Sequence, residues 1–149
     1  MGNIFIEEDK DEIVRRLDEL HPNSKPMWGK MNVPQMLAHC LVPTKISAGE
    51  IESKQTLLGK LFGKTAKKQL LSGPIMKKGL PTAPGFVIKH TPDFYESQQA
   101  LKEAIQRLYE TDKTVLMQRK HPFFGKMSLQ EWGVLNYMHY DHHLRQFGV

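Results

Sequence analysis

Three histidines in the segment 129–146 are the residues of this sequence best suited to chemistry. His139 and His143 are four residues apart, so their rings lie one turn apart on the same face of an α-helix. Two imidazoles with this spacing can bind one metal ion from a single helix. His142, three residues after His139, lies on nearly the same face and can take the place of His143. The pattern therefore indicates a metal site with two alternative registers.

Histidines on the buried face of a helix also occur as ordinary hydrogen-bonded core residues. Three of them on one face are hard to leave unpaired, because each unsatisfied buried polar group costs about 1–3 kcal/mol. A bound metal ion would remove that cost for two of the three. Spacing alone leaves both interpretations open, a metal site and a set of hydrogen-bonded core residues.

The helix that carries these histidines has well-marked ends. Ser128 followed by Glu131 is a capping box, in which the hydroxyl and the carboxylate each accept a hydrogen bond from a backbone N–H group of the first turn. Gly148 is a stop signal, so we predict a helix that runs to Gln146.

His39 lies on an earlier helix, for which Asn32 is the predicted N-cap and Pro34 lies in the first turn. Its position is beside the apolar stripe of that helix, on a flank that a bundle can bury. Pro43 cannot donate an N–H group to the carbonyl of His39, which predicts a kink. Cys40 adjoins His39, but adjacent helical side chains diverge by about 100° and do not face each other. We therefore expect Cys40 to be a small core residue.

Two more segments have the apolar spacing of substantial helices. One covers residues 9–20, with acidic residues at its start, where the helix dipole favours negative charge. The other is predicted to use Thr91 as its cap and Pro92 as its first residue, and to end near Tyr109. Four such helices, with no convincing alternation of strand residues, predict an all-α bundle.

A long connection separates the second and third of these major helices. It contains an amphipathic segment over Leu57–Leu71, interrupted by Gly59 and Gly63, which is predicted to form one or two short helices with lysines on one side and apolar residues on the other. The segment from Ser72 to Pro92 is rich in proline and glycine and is predicted to be a loop. A loop of this length in a compact domain is often a lid or a binding loop.

Length and composition indicate one globular domain that spans residues 1–149, with 40% hydrophobic and 25% charged residues. A single cysteine excludes an internal disulfide and favours the reducing cytoplasm. No apolar run approaches the roughly 20 residues that span a bilayer, so no membrane partner is expected.

The net charge of +5 is unevenly distributed. Eight lysines and no acidic residue lie between Ser53 and Pro92, which leaves a net charge of −3 for the rest of the chain. No DNA-binding or RNA-binding motif accompanies these lysines. We therefore expect a solvated lysine face, with neither nucleic acid nor a membrane as partner.

The chain resembles the DinB/YfiT-like superfamily of metal-binding four-helix bundles over nearly its whole length. Within it, the chain is similar to an uncharacterised bacterial subfamily with an HHLRQFG-type tail. The residues that carry the resemblance are WGKMNV at 28–33, MLAH at 36–39, HPFFG at 121–125, EWG at 131–133 and HYDHHLRQFG at 139–148.

This resemblance implies an up-down-down-up bundle with a three-histidine site for a divalent metal ion, commonly zinc or nickel. Its ligands would be His39, His139 and His143, with His142 as the alternative to His143. Better-known members of the superfamily use low-molecular-weight thiols in S-transfer or isomerisation, which implies a thiol S-transferase acting on a small-molecule substrate. A metal-dependent hydrolase and a non-catalytic metal-binding or stress-response module remain the alternatives. The resemblance also allows a homodimer.

Overall fold

Six α-helices make up most of the computed structural model, which describes all 149 residues, Met1 to Val149. A turn of 3₁₀-helix and a minimal antiparallel strand pair complete it. The elements are α1 (Glu7–Asp18), α2 (Val33–Ala48), α3 (Leu57–Leu71), the 3₁₀ turn (Pro84–Phe86), α4 (Phe94–Glu110), α5 (Lys113–Gln118), β1 (Lys120–His121), β2 (Gly125–Lys126) and α6 (Leu129–Gln146). The prediction of a largely helical chain is confirmed.

The helices α1, α2, α4 and α6 surround the main hydrophobic core. α2 packs along α4 and against α6, and α1 packs against both α4 and α6. The core includes the fully buried side chains of Ile13, Leu37, Ile105, Leu108 and Tyr140. Cys40 lies in this core, as predicted. No helix in the structure combines the length and the apolar character needed to cross a membrane.

α6 begins as the capping box predicts. Ser128 Oγ accepts a hydrogen bond from the N–H of Glu131 at 3.2 Å, and the carboxylate of Glu131 accepts one from the N–H of Ser128 at 2.8 Å. The helix ends at Gln146, and Gly148 has the left-handed backbone (φ +80°) of a stop residue. The local sequence therefore determines where α6 begins and where it ends.

α2 also begins as predicted, with Asn32 as its cap. Asn32 Oδ1 accepts from the N–H of Gln35, and Gln35 Oε1 accepts from the N–H of Asn32, so Gln35 completes a capping box that we did not predict. Pro43 lies inside α2 without ending it. The helix therefore continues past His39 for more than two turns.

The predicted start of α4 is wrong by two residues. Asp93 is the cap, since its carboxylate accepts a hydrogen bond from the N–H of Glu96 at 2.9 Å, and the helix begins at Phe94. A carboxylate satisfies the first N–H groups and also favours the helix dipole, so it outcompetes a nearby threonine. Thr91 instead accepts a hydrogen bond from the side chain of Asn32 at 2.9 Å, which ties the starts of α4 and α2 together.

Two small elements after α4 were not predicted. α5, capped by Asp112, occupies part of the segment that we expected to be a plain connection. The strand pair joins Lys120 to Lys126 and His121 to Gly125, and Gly125 adopts the positive φ of +71° that the turn requires. Elements of six and two residues are too short for hydrophobic periodicity to reveal them.

α3 has the predicted bounds, but the predicted interruption at its two glycines is wrong. Gly59 and Gly63 are buried within a continuous helix and face the backbone of Phe123. A Cβ at either position would overlap the carbonyl oxygen of Phe123. The glycines therefore allow close packing of α3 against the loop between β1 and β2.

Candidate metal centre

Three histidines from two helices meet inside the bundle. His39 comes from α2, and His139 and His143 come from successive turns of α6. One potential ligand atom of each lies within 4.8 Å of the other two, which is close enough to hold a metal ion. His39 and His143 are buried, and His139 is half-buried.

The closest approach in the cluster is between His39 Nε2 and His139 Nε2, at 3.2 Å. Two nitrogens that bind one tetrahedral ion at about 2.0–2.1 Å lie roughly 3.3 Å apart. The two nitrogens therefore already have the separation of a tetrahedral edge. The widest separation in the cluster, up to 4.8 Å, is larger than this edge.

The tautomer of His39 is set by a backbone carbonyl. Its Nδ1 lies 2.9 Å from the carbonyl oxygen of Phe86, which can only accept a hydrogen bond. Nδ1 therefore carries the proton, and the unprotonated Nε2 faces His139. Metal-binding histidines almost always donate their second ring N–H in this way.

The tautomer of His143 is set through Gln146. Gln146 Nε2 donates a hydrogen bond to the carbonyl of Trp28 at 2.7 Å, so its Oε1 is left to face His143 Nδ1 at 2.8 Å. Because an amide oxygen only accepts, His143 Nδ1 carries the proton. Its Nε2 lone pair is therefore free to bind an ion, as it is in His39.

Burial keeps all three imidazoles neutral. It lowers the pKa of His39, and it lowers the pKa of His143 to about 3. The pKa of His139 lies well below its usual value, mainly because of burial and then because of repulsion from His143 and His39. Neutral imidazole is the form that binds metal, so these histidines need not lose protons at neutral pH to act as ligands.

Hydrogen bonds between α2 and α6 hold the two helices in register next to the cluster. Thr44 Oγ1 and Tyr140 Oη lie 2.7 Å apart, and both residues are buried. The Thr44–Tyr140 pair, adjacent to His139 in the chain, brings His39 and His139 to the same level of the bundle. Farther along α2 and away from the cluster, Ser47 Oγ lies 3.2 Å from Asn136 Oδ1.

His142 lies outside the three-histidine cluster. Its Nδ1 is 3.3 Å from the carbonyl oxygen of Met76, and its ring meets the edge of Trp28 at 5.8 Å between centroids. The cluster contains His143 instead. Of the two registers that the sequence left open, the geometry favours His139 with His143.

A comparison with protein families places this chain. A family model described as a protein of unknown function, DUF1569, matches residues 6–148. The chain belongs to the DUF1569 family. The matched region includes all three histidines of the cluster. No curated protein and no solved structure matches the chain.

The long loop of this DUF1569 protein lies against the cluster, at the position where we predicted a lid or binding loop. Its carbonyls at Met76 and Phe86 contact His142 and His39. Lys78 Nζ lies 3.9 Å from the centre of the Trp28 ring, a cation–π contact that attaches the loop to the segment before α2. Phe86 of this loop therefore lines the site, and Met76 contacts the neighbouring His142.

Sequence reasoning missed the residues that orient the ligands. Gln146 is three residues after His143, a spacing at which helical side chains touch, so this partner could have been found. Phe86 acts through its backbone carbonyl, and a backbone contact across 47 residues of chain has no sequence signal. Trp28 was part of the resemblance, but its carbonyl contact with Gln146 was not predicted.

Proposed function

We propose that this DUF1569 protein binds a divalent metal ion through Nε2 of His39, His139 and His143. The observation that carries the proposal is that the Nδ1–H groups of His39 and His143 donate hydrogen bonds to the carbonyl oxygen of Phe86 and to Oε1 of Gln146, which fixes the tautomer of both histidines. Both histidines are thereby left with Nε2 unprotonated in a buried cluster. Two lone pairs held in this way fit a shared cation.

The donor set favours zinc or nickel. Imidazole nitrogen suits zinc, copper, iron and nickel, whereas magnesium and calcium prefer oxygen. No cysteine, aspartate or glutamate belongs to the cluster, so the chain supplies three neutral ligands. Three protein ligands leave a coordination position open for water or substrate, as in catalytic sites.

The most specific activity that we propose is thiol S-transfer to a small-molecule electrophile, with metal-dependent hydrolysis as the second candidate. A divalent ion with an open position lowers the pKa of a thiol or a water molecule that binds it. His39 and His143 would hold the ion through Nε2 while their Nδ1–H groups donate to the carbonyl of Phe86 and to Oε1 of Gln146. A small molecule would bind the ion at the coordination position that the three histidines leave open.

The proposal includes kinship with the DinB/YfiT-like bundles. It is supported by the packing of α1, α2, α4 and α6 around the main core, by the long connection between α2 and α4, and by the positions of the three histidines on α2 and α6. We propose the up-down-down-up arrangement of that superfamily for α1, α2, α4 and α6. The choice of a thiol as co-substrate rests on this kinship alone.

Elemental analysis of untagged protein tests the metal proposal. We expect one zinc or nickel ion per chain, and we expect His139→Ala to lose it because two remaining imidazoles hold an ion poorly. Tyr95→Phe on the exposed surface of α4 is the control and should keep the ion. Full occupancy in His139→Ala would overturn the ligand assignment.

A thiol panel tests the proposed activity. Metal-loaded protein should accelerate the conjugation of at least one bacterial low-molecular-weight thiol to a generic electrophile, and His39→Ala should abolish this. Equal rates for loaded and metal-free protein with every thiol would remove the transferase proposal. Metal-dependent ester or amide hydrolysis in the same preparation would then support the second candidate, and no activity would support a non-catalytic metal-binding module.

A further inference from the structure

α3 exposes its large apolar side chains to solvent. Leu57, Leu58, Leu61 and Phe62 are 78%, 63%, 74% and 59% exposed, and we call these four residues the α3 patch. Isolated exposed leucines are common, but four neighbours on one helix form a contiguous apolar surface. Such a surface indicates a binding partner.

The outward direction of the patch is determined by the opposite side of the helix. Gly59 and Gly63 face Phe123 so closely that any larger side chain would overlap its carbonyl oxygen. Lys67 adds a fixed point, because its Nζ pairs with the carboxylate of Glu131 at 2.8 Å. α3 cannot rotate to bury the patch without placing a leucine or phenylalanine where only glycine fits.

Lysines border the patch along one side. Lys60, Lys64 and Lys68 are all exposed, and on a helical projection Lys64 and Lys68 lie within roughly 60° of Leu61. No acidic residue occurs between Ser53 and Pro92 to neutralise them. The surface of α3 therefore combines an apolar centre with an unbalanced positive edge.

We propose that α3 is the docking surface of this protein for an anionic lipid bilayer. A helix with an apolar face and a lysine-rich edge lies in the plane of the membrane, with its apolar residues at the acyl boundary. Lysine stems can extend past the apolar layer to place their ammonium groups among anionic headgroups. This docking is parallel to the surface, in keeping with the finding that no helix can cross a membrane.

Charge distinguishes this occupant from two others. In a second copy that pairs with α3 antiparallel about a two-fold axis, Lys60, Lys64 and Lys68 of both copies would lie on the same side of the interface, and like charges oppose such contact. Nucleic acid would match the lysines but would leave Leu57 and Leu61 exposed. The inference reverses our expectation that no membrane is a partner, because the sequence alone did not show that the leucines face outward. It is independent of the proposed metal site.

Flotation with lipid vesicles tests the apolar part of the proposal. At about 0.15 M salt, the protein should float with vesicles that contain phosphatidylglycerol and remain unbound with phosphatidylcholine alone. Leu61→Ser and Phe62→Ser should each lower the partition coefficient about tenfold. Tyr95→Ser removes a side chain of similar exposure (67%) from α4 and should have no effect.

A matched pair of charge variants tests the positive edge. Lys64→Gln with Lys68→Gln should weaken vesicle binding about 25-fold, since each lysine near an anionic surface contributes about fivefold. Lys25→Gln with Lys30→Gln lowers the net charge equally, in the exposed segment between α1 and α2, and should change binding by no more than about threefold. All these variants should melt at the temperature of the unmodified protein, because the replaced side chains are exposed.

Three results would overturn the proposal. The first is absence of binding to phosphatidylglycerol vesicles by the unmodified protein. The second is equal binding by the α3 variants and their controls. The third is a stable dimer in light scattering that Leu61→Ser converts to monomers, which would assign the α3 patch to a second copy of the chain.

Discussion

Gln146→Ala should weaken metal binding although Gln146 is not a proposed ligand. The amide oxygen holds the Nδ1 proton of His143 at 2.8 Å, and the amide nitrogen is held by the carbonyl of Trp28 at 2.7 Å. Loss of such an outer partner typically lowers metal affinity 10–100-fold, or about 1.4–2.8 kcal/mol. Without the amide, His143 can move its proton to Nε2 and present no lone pair to the ion.

The same substitution also affects folding, so the assay must separate the two effects. The Nδ1–H group of His143 and the carbonyl of Trp28 both lose their hydrogen-bond partner. This loss should lower the free energy of unfolding of the metal-free protein by about 2 kcal/mol or more. Ser47→Ala is the matched control, because it removes a hydroxyl proton that two buried acceptors share, Asn136 Oδ1 and the carbonyl oxygen of Pro43. Ser47 is eight residues after His39, roughly 12 Å along α2.

Competition with a chromophoric zinc chelator measures the affinity, and urea unfolding measures the stability. We expect Ser47→Ala to have a lower free energy of unfolding and an unchanged zinc affinity. Gln146→Ala should have both a lower free energy of unfolding and a lower zinc affinity. Unchanged zinc affinity in folded Gln146→Ala would refute the argument that Gln146 selects the metal-binding tautomer.

Three further predictions follow from the geometry. His142→Ala should keep the bound metal ion and His143→Ala should lose it, as elemental analysis of the two variants can show. The opposite result would identify His142 as the ligand in place of His143. Gly63→Ala should lower the free energy of unfolding, measured in urea, by about 1–3 kcal/mol, because its Cβ would overlap the backbone of the loop between β1 and β2. Gly85→Ala is the control and should have no such effect, since no atom lies near the position of its Cβ. Equal effects of the two substitutions would refute the packing of α3. His121 Nδ1 accepts hydrogen bonds from the backbone N–H groups of Phe123 and Phe124, at 3.1 and 3.0 Å, and burial lowers the pKa of His121 to about 4. The unfolded chain, in which histidine has its ordinary pKa near 6.5, binds a proton at a higher pH than the folded protein does. Neutral His121 therefore contributes to the free energy of unfolding above pH 6.5, and up to about 3 kcal/mol of this contribution is lost as the pH falls towards 4. His121→Phe should flatten that part of the pH profile of metal-free protein, and an unchanged slope would contradict the assignment.

The presence of histidines one turn apart on one face of α6 was predictable because it is a local property of one helix, but the choice between His142 and His143 was not. Ser128 and Glu131 specify where α6 begins, and the spacing of four residues then places His139 and His143 on one face. The contact of His39 with the α6 histidines depends on tertiary packing, and hydrophobic periodicity predicted only that His39 lies on a flank of α2. Packing between α2 and α6 brings its Nε2 to 3.2 Å from His139.

The glycines of α3 show how a local signal can mislead. Gly59 and Gly63 are poor helix formers, so sequence reasoning treats them as interruptions. In the structure they form the packing face of an unbroken helix against Phe123. Only the three-dimensional arrangement shows that the small residues face inward and Leu61 faces outward.

Anomalous diffraction from crystals of untagged protein, purified without chelator, tests the central claim most directly. With data collected above the zinc and nickel absorption edges, we expect one strong anomalous peak within bonding distance of Nε2 of His39, His139 and His143. An ion bound elsewhere, or no peak between these histidines in protein supplied with stoichiometric zinc or nickel, would contradict the assignment of this cluster as a metal site.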